Sequence, residues 1–105
     1  MNAQQSFLDR CLAEEADTND IDDFIDVWHA GGTGVELWEF LGMTRDEYGL
    51  WVENPAVLVA LVESRRRGTT VAESAHVLAQ ATNRADAAEM REVEHWLRMR
   101  AARAL

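Results

Sequence analysis

A Thr or Asp followed three residues later by Glu recurs four times along the chain, as Thr33/Glu36, Thr44/Glu47, Thr70/Glu73 and Asp86/Glu89. In this capping box, the first side chain accepts a hydrogen bond from an unpaired N–H of the helix's first turn. The glutamate accepts one from the cap residue's own N–H. A fifth start is Asn54-Pro55, a cap residue before a proline suited to the first helical position. There is one proline in the whole chain, and no strand-length run alternates β-branched with polar residues. The pattern predicts an all-α fold of six to seven short helices.

Apolar spacing and stop signals place helices at about 3–16, 20–30, 34–41, 45–53, 55–67, 71–82 and 87–103. The last two, joined near Asn83-Arg84-Ala85, read as a C-terminal hairpin. The chain has 105 residues, which is the size of one domain. The expected organisation is a single all-helical domain over 1–105, with a helix-turn-helix-like core over 20–67 and the hairpin over 68–105. Phe24, Trp28, Phe40, Tyr48 and Trp51 are the expected aromatic core.

Residues 37–52 carry the densest signal. A helix-turn-helix needs two inward apolar residues four apart, a glycine able to take positive φ, an apolar plug, a cap, and two inward residues three apart. Leu37 and Leu41, Gly42, Met43, Thr44, and Tyr48 with Trp51 supply these in order. The string Leu-x-Glu-Phe-Leu-Gly-Met-Thr-x-x-Glu-Tyr-x-x-Trp-Val resembles a motif of short bacterial and phage proteins of helix-turn-helix, antitoxin-like type. The resemblance spans about residues 21–62, including Asp22 to His29, and leaves out the C-terminal hairpin. It implies a small regulatory or partner-neutralising protein.

Charge narrows the partner. The formal net charge is −9, and all ten basic residues are arginine. Residues 1–55 hold thirteen acids and two arginines, whereas residues 56–105 hold six acids and eight arginines. An acidic chain is poorly matched to nucleic acid or anionic membranes in general. Asp20, Asp22, Asp23 and Asp26 form the expected partner-binding face, aimed at a cationic protein such as a toxin or effector. The alternative is a sequence-specific DNA-binding repressor, acting as a homodimer through Arg45 and the Arg65-Arg66-Arg67 tract. That helix sets Arg45 against Asp46, Glu47 and Glu53, and Trp38 stands where DNA readers usually keep a small residue. A further alternative is an acidic inhibitor that mimics nucleic acid and blocks a host effector.

Catalysis is not expected. Glu73-x-x-His76 and Glu92-x-x-His95 have di-metal spacing, but the other glutamates of such a bundle are missing. No metal or cofactor is therefore expected. The acidic run lacks the glycine and terminal glutamate of a calcium loop. Gly31-Gly32-Thr33-Gly34 lacks the Lys of a phosphate loop. Cys11, the one cysteine, reads as a small buried hydrophobe, and His29 as a helix-end residue. No apolar run is long enough to span a bilayer, and the start of the chain lacks the pattern of a signal peptide, so a cytoplasmic setting is expected.

Overall fold

The computed structural model describes residues 6–31, 34–80 and 84–103 and is all-helical, with no strand among the described residues. Seven helices follow in order: α1 (Phe7–Leu12), α2 (Ile21–Ala30), α3 (Leu37–Leu41), α4 (Arg45–Glu53), α5 (Val57–Arg67), α6 (Val71–Leu78) and α7 (Arg84–Arg103). A 3-10 turn, Thr18–Asp20, leads into α2. The chain forms two compact units that divide between Glu53 and Asn54.

In the N-terminal unit, α3 packs against α1, α2 and α4. Its buried apolar residues are Phe7, Leu8, Cys11, Ile21, Leu41 and Met43. The aromatic core expected from sequence is not found. Phe24, Trp28, Phe40, Tyr48 and Trp51 are all only half-buried, and the fully buried aromatic is Phe7. Helices of five to ten residues cannot enclose so many large rings, so the rings line the surface of the unit instead. Phe24 still meets Phe7 edge-on, with centroids 5.0 Å apart. The first helix also ends sooner than its periodicity predicts. Glu14 takes a left-handed backbone (φ 62°), and the Glu15 N–H turns back to the Arg10 carbonyl at 2.8 Å.

Gly42 closes α3 in a left-handed conformation (φ 85°). Its N–H donates to the Glu39 carbonyl and that of Met43 to the Trp38 carbonyl, the paired bonds of a Schellman turn. A side chain here would also collide with α1, because an ideal Cβ would lie 2.3 Å from Ser6 Oγ. Glycine is thus needed for both its backbone and its lack of bulk.

In the C-terminal unit, α6 packs against both α5 and α7. Val57, Leu58, Ala60, Leu61 and Val62 of α5 are buried, as are Ala75, Ala79, Ala87, Met90, Val93 and Leu97. The spacing 87, 90, 93, 97 turns one face of α7 inward. Two buried hydroxyls find partners: Ser64 donates to the Leu61 carbonyl at 2.8 Å, and Ser74 lies 2.8 Å from Thr69 Oγ1.

The caps match the sequence reading in part. Thr44/Glu47 and Thr70/Glu73 form reciprocal boxes. Asp86 lies inside α7, which begins two residues earlier. Thr33 and Asn83 lie outside the described residues. Asn54 accepts from the Ala56 N–H at 3.3 Å, but Pro55 and Ala56 form a turn and α5 begins at Val57.

Candidate partner-binding surfaces

Helix α2 sorts its residues by the turn of about 100° between neighbours. Ile21, Phe24, Ile25 and Trp28 fall on one side and are buried or half-buried. Asp22, Asp23 and Asp26 fall on the other and are exposed. Those three carboxylates make no hydrogen bond or ion pair with any described residue. Asp20 differs. Its carboxylate accepts from the Asp17 N–H at 2.9 Å and caps the 3-10 turn. Three of the four aspartates predicted as a partner face are therefore available to a partner, and the fourth serves local structure. Two contacts fix the helix's bearing. The Trp28 indole donates to the Val35 carbonyl at 2.9 Å, and the Arg10 guanidinium lies 5.9 Å from the Phe24 ring centre.

Helix α4 follows α3 after the three-residue turn Gly42-Met43-Thr44. Leu41 and Met43 are buried, Leu37 is half-buried, and Thr44 is the cap. Tyr48 and Trp51 lie on one face with ring centres 5.9 Å apart. Arg45 is exposed beside exposed Asp46, with Glu53 exposed at the far end of the same helix. The helix thus presents one cation among carboxylates.

The arginine tract at the end of α5 is exposed but partly neutralised. Glu63, one turn back, hydrogen-bonds Arg67 and lies 3.9 Å from Arg66. Its position at the helix C-terminus also suits the helix dipole. The two Glu-x-x-His motifs do not assemble. Glu73 is spent on the α6 cap, and His76 instead meets Glu94, with Nδ1 3.1 Å from Oε1. Arg98 donates to the other oxygen of Glu94 at 2.8 Å. The Arg98 hydrogen bond, aided by His76, holds the Glu94 carboxyl below its ordinary range. Among the described residues, no three His, Cys, Asp or Glu side chains are placed to hold a metal ion. No described helix is long and apolar enough to cross a membrane.

Sequence reasoning missed Glu94 as the junction of α6 and α7. The Glu94/Arg98 spacing of four is a recognisable helix pair, but the cross-helix partner His76 leaves no local trace. The Ser6/Asp9 box that starts α1 was visible in principle as a Ser with an acid three residues on. No family model, curated protein or solved structure matches the chain.

Proposed function

We propose that this protein is a small non-catalytic regulator of antitoxin or repressor type that acts by binding a macromolecule, and that it meets a cationic protein through the exposed face of α2. The observation that carries this reading is the exposure of Asp22, Asp23 and Asp26, which pair with no described residue, on a unit whose thirteen acids face only two arginines. Such a face speeds encounter with a basic partner and repels acidic ones, so it governs association rate and choice of partner more than final affinity. A DNA-reading role has less support, because α4 offers Arg45 alone against its carboxylates, and Arg66 and Arg67 of α5 share Glu63.

The test compares the wild-type chain with the Asp22→Asn, Asp23→Asn, Asp26→Asn triple variant, which leaves the Asp20 cap in place. Affinity capture from cells that encode the protein should yield a basic protein with wild type and lose it with the variant. With that protein purified, the variant's association rate should fall about tenfold at low salt and converge on wild type as salt rises. Unchanged capture by the triple variant would overturn the proposal. A gel shift with the DNA around the gene, lost on Arg45→Ala, would establish the repressor instead.

A further inference from the structure

Helix α7 turns Ala87, Met90, Val93 and Leu97 inward, and its last two turns carry a different stripe outside that inward arc. With about 100° between neighbours, Trp96, Met99, Arg100 and Arg103 fall within an arc of about 100°. Met99 keeps 48% of its surface exposed, and both arginines are exposed. The Arg100 guanidinium lies 5.9 Å from the Trp96 ring centre. The acids on that side, Glu89 and Glu92, precede Trp96 by about one to two turns, so the stripe is basic where the helix ends. The outer face of α2 is its complement. Asp22, Asp23 and Asp26 share an arc of about 140° there with Val27, which keeps 60% of its surface exposed. One unit thus offers water an acidic stripe with an apolar residue, and the other a basic stripe with an apolar residue.

We propose that the basic stripe at the end of α7 docks on the outer face of α2 in a second copy of this chain. This goes beyond the reading of α2 given above by naming another occupant for the same face. Arginines would meet aspartates, while Met99 and Val27 supply apolar surface to cover. Like stripes repel, so α2 does not pair with α2, nor α7 with α7. A DNA backbone would meet the arginines but leave Met99 uncovered, and two arginines are few beside the phosphate contacts that hold a DNA-binding protein. A contact between one short helix and two turns of another falls short of the roughly 1,200 Å² of a stable interface, so the association is weak and salt-sensitive. The net charge of −9 on each copy opposes close approach and weakens it further. Each copy carries one stripe of each kind, so the contact can close into a reciprocal pair or propagate from copy to copy. A cationic partner and a neighbouring copy would then compete for one face.

The test is sedimentation of the full chain at concentrations up to about 1 mM, which populate even a weak contact. At low salt the average mass of the wild type should rise with concentration, and in about 1 M salt it should return to that of the monomer. The Asp22→Asn, Asp23→Asn, Asp26→Asn variant and an Arg100→Gln, Arg103→Gln variant should each weaken self-association at least about tenfold. Mixed together, the two should form a dimer and nothing larger, because each keeps the stripe that the other has lost. That pairing would also show that both variants are folded. A wild type that stays monomeric, a mixture that stays monomeric, or self-association that neither variant weakens would overturn the inference. A monomeric wild type that still captures a basic protein through Asp22, Asp23 and Asp26 would leave the α2 reading intact. The mixed dimer together with unchanged capture by the triple variant would do the reverse. A monomeric wild type that shifts a short DNA duplex, with the shift lost in the arginine variant, would give the α7 stripe to nucleic acid and overturn the inference.

Discussion

The two units of this chain differ in what they are made of and in how much of it they hide. The N-terminal unit owns seven of the eight aromatic residues but buries one of them. The C-terminal unit is built from valine, leucine, methionine and alanine, and it buries eleven apolar residues among those described, against six in the other. Bulk is therefore no guide to burial here. Small side chains on α5, α6 and α7 let α6 pack against both of its neighbours. Large rings on short helices leave their edges in water. The charge division falls at the same place, for the thirteen acids and two arginines of residues 1–55 all lie before Asn54. The acidic unit is thus the sparsely sealed one, and the nearly neutral unit the well-sealed one.

The contrast breaks most readily at its anchors. Phe7→Ala should cost about 3–5 kcal/mol, because Phe7 is the one ring the N-terminal unit sequesters fully. Urea denaturation followed by tryptophan emission reads this, and a loss below about 1 kcal/mol would mean that the unit has no working core. Next come the glycines that end α3 and α5. Gly42→Ala should cost about 2–3 kcal/mol, from left-handed strain and the collision with Ser6. Gly68→Ala, at φ 70° with open space around it, should cost about 1 kcal/mol. Equal midpoint shifts in the two variants would show that the Ser6 approach is relieved by a small movement of α1.

Two smaller effects sharpen the comparison further. Glu14→Gly should stabilise the N-terminal unit by about 0.5–1 kcal/mol by relieving a left-handed non-glycine backbone. In the C-terminal unit, Glu94→Gln should cost about 0.5 kcal/mol at neutral pH, since Glu94 bridges exposed partners. The folded carboxyl titrates below its ordinary range, so its contribution is present above that range and is lost as pH falls through the folded value. The melting temperatures of wild type and variant should therefore converge on acidification. A gap that persisted in strong acid would remove the ion-pair explanation.

Most helices could be read from the chain because their signals are local. Thr44/Glu47 and Thr70/Glu73 work within one turn, and α4 spans the residues its spacing predicts. What could not be read depends on partners distant in sequence. The aromatic rings had inward spacing, but whether a ring is enclosed depends on how long the opposing helices are. Asp20 looked identical to Asp22 and Asp23 as a carboxylate, and only the extended backbone at Asp17, which turns its N–H toward Asp20, separates a cap from a surface charge. The early end of α1 was hidden because Glu14, the residue that turns the chain, has no intrinsic preference for the left-handed region. Asp22, Asp23 and Asp26 were expected on the outer face of α2, and they are exposed there. Tyr48 and Trp51 of α4 were instead expected to be core, and both are half-buried.

The close approach of Ser6 to Gly42 ties together two positions far apart in the chain. A side chain at Gly42 meets that of Ser6, and one of the two must give way. Among descendants of a common ancestor, Gly42 should therefore give way to another residue only where position 6 has become smaller, a one-way constraint by which distant kin could be recognised where overall likeness has faded.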